Sequence, residues 1–430
     1  MEIKSTLFRV VRGNAVGATL ALLIGVLSSR WLGPAGRGEY ALFFTTVGVA
    51  SIFGQVGVYQ ASIYLVSKGL VSLNEAFGVL VGIVAFDTVL LAAALCTALY
   101  IVPAHLLHID SSRLAFAFLV SVICVVLQEG LGGLAMASQR HNIYASQLAL
   151  EPSLIFLATL PLIFLSGSAV SAILLRVCAS SVAIAIMFIR IQSALHLLPK
   201  FDIQGLKKEL VFGSKVLSQN VLGVLNYRIY IYFLATVPAS AGRFSVALLF
   251  CELVRFFPNA VGTASLPYLA TYGPIESSAL AARICRITLA IGVAIVLFFW
   301  PLLASIIWSV FGASFLPATG PTLVMMIGTI FASIYQVFTR YFMGMGRQAV
   351  SVTAAAAGLT SAVASCLVLV PEFGLKGAAY SYLICSIVTA LYLSVAFCWQ
   401  SKMPIRHFLF VRRSDLQMLA DFVNRIAFSR

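Results

Sequence analysis

Charge is what this sequence has least of. Only 10% of its 430 residues are Asp, Glu, Lys or Arg, against roughly 25% in a soluble domain. No stretch is polar enough to fold as a water-soluble domain. The net charge of +14 therefore has no face on which to bind nucleic acid, and nucleic acid is excluded as a partner. Paired cysteines are missing as well. The eight cysteines (Cys96, Cys124, Cys178, Cys251, Cys285, Cys366, Cys385 and Cys398) are scattered, and none forms a CxxC. Neither a metal site nor a disulfide framework is indicated, and small buried hydrophobes are their expected role. Long polar loops are absent too. In the outer loops His105, His108 and Asp110 are the one notable polar cluster, without metal-ligand spacing. No cofactor is expected, and the chain does not read as an enzyme.

What is present is apolar sequence: 61% of residues are hydrophobic and the mean hydropathy is +1.02. Apolar runs of about 20 residues, enough to cross a bilayer as helix, recur along the whole length. The expectation is an all-α polytopic membrane protein of twelve spans. They fall near 14–32, 40–66, 77–102, 114–138, 144–166, 169–194, 213–237, 241–271, 284–309, 319–345, 349–370 and 374–399. Basic Lys4, Arg9 and Arg12 before the first run imitate a signal peptide. With so many later spans, that run reads as a retained first helix.

The longest connection, about 195–212, is basic and polar and lies near the middle. It divides the chain into a six-helix bundle at 1–194, a cytoplasmic linker at 195–212, a second bundle at 213–400 and a tail at 401–430. The tail mixes Phe408, Val411, Leu419, Phe422, Val423 and Ile426 with Arg406, Arg412, Arg413 and Arg425. That pattern suits an amphipathic helix on the cytoplasmic leaflet; the alternative is a short frayed end. With the N-terminus inside, 20 of the 28 Lys and Arg fall on the cytoplasmic side and 5 on the other. Lys and Arg favour the cytoplasmic loops, so both termini are expected there. Anionic membrane lipids are the expected contacts of this charge.

Two matches at nearly one offset suggest duplicated halves. Ala35–Phe44 (AGRGEYALFF) and Ala241–Phe250 (AGRFSVALLF) agree at six of ten positions, 206 residues apart. Met136-Ala-Ser-Gln-Arg140 and Met343-Gly-Met-Gly-Arg347 lie 207 apart. Six spans separate the copies, so the halves share one orientation, and two pseudo-symmetric six-helix bundles follow. The first copy lies in Ser28–Phe44, where Gly33, Pro34, Gly36 and Gly38 interrupt the apolar sequence. This stretch reads as a tight elbow between the first two helices.

Arg30-Trp-Leu-Gly-Pro34, with its Gly-rich turn, resembles the start of bacterial polysaccharide flippases of the multidrug/oligosaccharidyl-lipid/polysaccharide exporter superfamily. Gly54-Gln-Val-Gly57, Leu210-Val-Phe-Gly213, Leu225-Asn-Tyr-Arg228, Ala241-Gly-Arg-Phe-Ser-Val-Ala247, Leu266-Pro267 and Gly374-Leu-Lys-Gly-Ala-Ala379 follow in the order this family has them. The resemblance implies transport of an oligosaccharide linked to undecaprenyl pyrophosphate, from the cytoplasmic to the periplasmic leaflet of the inner membrane, for surface polysaccharide. A polysaccharide polymerase and chain-length machinery are the partners it implies. Relatives often place an acid shortly after the seventh-span Arg; here Arg228 is followed by Ile229-Tyr-Ile-Tyr-Phe233.

Seven charged residues fall well inside the spans, away from their ends: Asp87, Glu129, Glu151, Arg176, Arg228, Glu252 and Arg255. A charge at mid-bilayer costs at least about 2.5–3.5 kcal/mol, so it tends to face a cavity or a partner. A pyrophosphate needs cations to cross, and arginine's planar fork suits phosphate oxygens. Arg228 is the first choice for the headgroup, with Asn226 beside it; an arginine bonded to carbonyls between helices is the alternative. Arg30 is next, against simple snorkelling to the interface. Glu252 and Arg255, three apart, share a helix face. They form either a structural ion pair or a switch in which protonated Glu252 releases Arg255. Glu129 is read as cavity-lining, against an acid near the cytoplasm bonded to a neighbouring helix; Asp87 as a second coupling acid; Glu151 as a coupling acid or only the tie of a Pro152 kink; and Arg176 as structural. A drug or small-cation antiporter of the same superfamily is the alternative function. It would want an acid facing the N-terminal bundle's cavity, and Asp87 is the nearest. A membrane glycosyltransferase or polymerase is the second alternative, and it would need a larger outer loop.

Overall fold

The computed structural model of the chain describes residues 2–55, 57–101, 112–163 and 168–410. His105, His108 and Asp110, and the tail beyond 410, lie outside these. Among the described residues the regular structure is helical, with no strand. In each of the twelve expected spans most of the described residues are helical. Among the described residues, eight helical stretches are by length and apolarity alone long enough to cross a membrane, and the first, Ala15–Ser67, holds two of the spans. Phe86, Val89, Trp300, Leu367 and Val368 are exposed. Such surfaces suit hydrocarbon and are unusual in water. The chain is a multi-pass membrane protein.

Helix α1 (Glu2–Gln55) runs through the elbow with one non-helical residue, Gly33, at φ 64° and ψ −179°. Pro34 explains the place. Its ring disfavours helical geometry at the preceding residue, and glycine takes the positive φ without steric cost. The elbow is thus a one-residue kink. The second span breaks again at Gly57 (φ 71°), which precedes α2 (Val58–Ser67). A Cβ on Gly57 would lie 2.7 Å from the carbonyl oxygen of Gly213. Two of the motifs read from the sequence, at 54–57 and 210–213, therefore meet backbone to backbone.

Helices α3 (Leu73–Ile101), α4 (Ser112–Ala137), α5 (His141–Thr159) and α6 (Ala169–Leu195) complete the first half. Residues 196–202 have no regular structure, and His196 is left-handed at φ 47°. Helix α7 (Ile203–Arg228) then begins inside the stretch read as linker. The second half holds α8 (Tyr230–Phe233), α9 (Pro238–Thr271), α10 (Pro274–Ile306), α11 (Thr319–Gly344), α12 (Gln348–Phe373), α13 (Leu375–Ser401) and α14 (Arg406–Leu409). The chain forms two compact units, Met1–Val224 and Leu225–Arg430.

Helix neighbours repeat between the units. In the first, α4 packs against α2, α3 and α6, and α5 against α6. In the second, α11 packs against α9, α10 and α13, and α12 against α13. Helices α4 and α11 are the ones whose ends carry the Met136 and Met343 motifs, so sequence offset and packing agree on the duplication. The second unit's core is aromatic. Phe338 of α11 and Phe397 of α13 stack with centroids 4.3 Å apart, and fully buried Phe408 of α14 meets both edge-on. Arg286 of α10 donates to the carbonyl of His407, fastening the same segment.

Candidate functional site

In the second unit the last turn of α7 delivers Asn226, Tyr227 and Arg228, and α9 delivers Glu252 and Arg255. Asn226 Nδ2 donates to the carbonyl of Ala355 at 2.8 Å, and its Oδ1 accepts from Cys385 Sγ at 3.4 Å. The amide thus joins α7 to α12 and α13. Tyr227 donates to the carbonyl of Leu248 at 3.4 Å and sets its ring edge-on to Tyr382. Tyr230 is fully buried against the same Tyr382. Two of the three tyrosines around Arg228 are therefore packing. Arg228 is half-buried and follows Tyr227 by one position, so it points about 100° around the helix from it.

Arg255 has a ring and an acid beside it. Its guanidinium carbon lies 4.0 Å from the centroid of the Tyr227 ring. Its Nη1 is 4.0 Å from Glu252 Oε1, and that side chain is 49% exposed against 23% for Arg255. An ion pair this long and open contributes little, about 0–1 kcal/mol. The aromatic face contributes about 0.5–1 kcal/mol at exposed sites and about 2 or more when desolvated. Arg255 Nε makes no hydrogen bond. The result is a cation positioned by a ring, with its Nε buried and unbonded.

In the first unit Arg30 is exposed, close before the Gly33 kink. Arg37 is buried. It donates to Ser28 Oγ at 2.7 Å across the kink and lies over Tyr40. Arg176 donates to Tyr40 Oη at 2.9 Å and covers Phe44 at 3.9 Å. Both arginines are thus occupied in packing around one tyrosine. Glu151 accepts from Gln128 of α4 and from Ser180 of α6, the latter at 3.2 Å. It ties three helices beside Pro152. Glu129 is exposed although α4 carries it deep in a span. It lies roughly 140° around the helix from Phe116, an outward apolar residue, and so faces away from that side.

Asp87 lines a cavity of about 580 Å³ between α1, α3, the 201–203 segment and the start of α7. The residue is 8% exposed, and its Oδ2 has no hydrogen-bond partner. Gly54 makes room for it: a Cβ there would lie 2.6 Å from Oδ2. The linker is clamped onto α3 beside this cavity. Leu198 N–H donates to Asn74 Oδ1, Lys200 N–H donates to the carbonyl of Asn74, and Lys200 Nζ meets Glu75 Oε1 at 2.7 Å. The hydrogen bond to Glu75 raises the Lys200 ammonium above its ordinary range. Glu209, in the first turns of α7, was not singled out by its sequence. It is 1% exposed with neither oxygen bonded, and burial raises its carboxyl to about 8. Its sequence surroundings, Lys207-Lys208-Glu209, look like a solvated charge run, and only the register of α7 turns it inward. Among the described residues, no three His, Cys, Asp or Glu side chains group closely enough to hold a metal ion.

Compared by sequence, the chain matches no protein-family model and no curated protein. Its architecture is nonetheless shared with solved structures. It superposes on a lipid II flippase, MurJ in an inward closed conformation, with a TM-score of 0.74, 16% identity and coverage of 97% of this chain and 92% of the other. It also superposes on an inward-facing multidrug resistance MATE family transporter of the MOP superfamily, with a TM-score of 0.69, 16% identity and coverage of 90% and 94%. The fold is that of the MOP-superfamily transporters. A MOP-superfamily transporter from Pyrococcus furiosus, described by a reversed polarity of its binding pocket, matches with a TM-score of 0.62, 15% identity and coverage of 93% and 95%. In this two-lobed MOP fold, Arg30, Asp87 and Glu129 belong to the first unit. Arg228, Arg255, Asn226 and Glu252 belong to the second.

Proposed function

We propose that the chain is a flippase for a lipid-linked oligosaccharide. It moves the substrate, carried on undecaprenyl pyrophosphate, from the cytoplasmic to the periplasmic leaflet of the bacterial inner membrane by alternating access. Surface polysaccharide assembly is the use, with a polymerase and chain-length machinery downstream. The observation that carries this reading is Arg255: a guanidinium within a span, seated on an aromatic ring, with only a long contact to an acid. A membrane-embedded cation so weakly neutralised is suited to an anionic headgroup that could not cross hydrocarbon bare. Arg228, half-buried on the neighbouring helix of the same unit, supplies the second cation. Arg30 supplies a third from the first unit, and Glu129 meets sugar hydroxyls. The polyprenyl chain stays in lipid.

The test is reconstituted flipping of a labelled undecaprenyl-pyrophosphate oligosaccharide in proteoliposomes. Wild type moves the label, and Arg228→Ala inserts normally but loses more than about tenfold of the rate. Wild-type flipping by Arg228→Ala removes that residue from the mechanism. Failure of the wild type to move the lipid, with counter-transport of a small cation in the same vesicles, assigns the antiporter function instead.

A further inference from the structure

The cavity of the first unit has the form of a groove along one helix. Gly78, Gly82, Phe86 and Leu90 of α3, four residues apart, line it, with α1 and the first turns of α7 as its sides. Four-residue steps keep to one face of a helix, so the groove follows the α3 axis. From Gly78 to Leu90 it is about 18 Å long at 1.5 Å per residue. One leaflet's hydrocarbon, half of a core of about 30 Å, is about 15 Å deep. The groove therefore has the length of one leaflet, and its volume of about 580 Å³ leaves room for one hydrocarbon chain.

Its mouth is on the lipid side. Phe86, Leu90, Phe201 and Ile203 line the groove and are also exposed on the apolar outer surface. The two ends differ. At the Gly78 end the linker backbone crosses α3, where a Cβ would strike the carbonyl of Lys200. Lys207 is exposed one turn beyond Ile203 on α7, so a cation stands beside the mouth here. Asp202 at the same end is engaged, accepting from the backbone N–H groups of Gln204 and Gly205. With the linker on the cytoplasmic side, as its lysines predict, this end lies at the level of the cytoplasmic headgroups, which carry negative charge. Asp87, further along α3, is 8% exposed and lies against Gly54 of α1. It presents little of itself to the groove.

We propose that the groove holds one acyl chain of an anionic glycerophospholipid of the cytoplasmic leaflet, with the phosphate at Lys207. The lipid fills the space between α1, α3 and α7 and is a fixed part of the first unit, distinct from the substrate.

The experiment is native mass spectrometry of the full-length protein, delipidated in detergent and titrated with palmitoyl-oleoyl phosphatidylglycerol. One equivalent is expected to bind more than about tenfold more tightly than any later one. Gly82→Leu fills the groove. A Cβ at Gly82 meets only the Phe201 ring edge, at 3.9 Å, so the larger side chain enters without a backbone clash. This variant should lose the tight equivalent and keep the weaker ones. Lys207→Glu, on the exposed side of α7, should weaken phosphatidylglycerol several-fold and leave phosphatidylcholine unchanged. A tight equivalent retained by Gly82→Leu, or a wild type whose equivalents all bind alike, overturns the proposal. So does an equal effect of Lys207→Glu on both lipids. Displacement of the tight lipid by one equivalent of undecaprenyl phosphate overturns it as well and gives the groove to a carrier-lipid tail. None of these readings measures flipping, so the site stands or falls separately from the transport function.

Discussion

The guanidinium of Arg255 lies over the ring of Tyr227 at 4.0 Å, on a different helix, while Glu252 on its own helix touches it only at the limit of an ion pair. The cation is placed by an aromatic surface, which holds position without cancelling charge. Tyr227→Phe keeps that surface and Tyr227→Leu removes it. Tyr227→Leu is expected to slow reconstituted flipping by several-fold, on the order of 1–2 kcal/mol, and Tyr227→Phe much less. Equal loss in both variants would show that the hydroxyl contact to Leu248, and not the ring, is what matters.

Glu252 is half exposed and within reach of Arg255. If its protonation releases the arginine for substrate, Glu252→Gln mimics the released state permanently. Flipping by Glu252→Gln should then proceed without response to an imposed proton gradient. A gradient response equal to wild type rules this acid out of coupling.

Gly57 has a positive φ and stands against the Gly213 backbone. Gly57→Ala adds left-handed strain of about 1–2 kcal/mol and a contact at 2.7 Å with a carbonyl oxygen that cannot rotate away. Thermal unfolding should shift down by about 4 °C or more, taking 2–4 °C per kcal/mol for a unit of this size. An unchanged midpoint would mean that α2 and α7 can separate at little cost.

Glu209 gives a pH dependence. Its folded-state carboxyl is raised to about 8 by burial, above the ordinary value of about 4.3. Its contribution to stability is therefore full below about pH 4.3 and is lost as pH rises through about 8. Glu209→Gln removes the ionisation. Its midpoint should match wild type near pH 5 and exceed it by several degrees near pH 9. A difference that does not vary with pH would show that Glu209 does not titrate in the folded state.

Much of the site was legible, for identifiable reasons. Arg228, Arg255, Glu252 and Asp87 stood out because charge is scarce and each interrupts an apolar run. The arrangement among them was not legible. Glu252 and Arg255 three residues apart suggested an ion pair, yet the better partner of Arg255 is Tyr227, 28 positions away in sequence. Nothing local marked Arg37, which the kink at Gly33 folds against Ser28 and Tyr40. Glu209 looked like part of a solvated run and is buried.

By itself the sequence determined that this chain is a bundle of membrane helices. Hydrophobic length and the scarcity of charge act locally, and a span must satisfy its own backbone whatever surrounds it. It also determined the duplication and the kink at Gly33-Pro34, since offset and backbone chemistry are local facts. Only the tertiary structure decided which charges are packed around Tyr40, as Arg37 and Arg176 are, and which is seated on Tyr227, as Arg255 is. It alone enclosed Asp87 beneath the linker. Burial and pairing depend on helix register and on neighbours far apart in the chain, and no periodicity within one span encodes either.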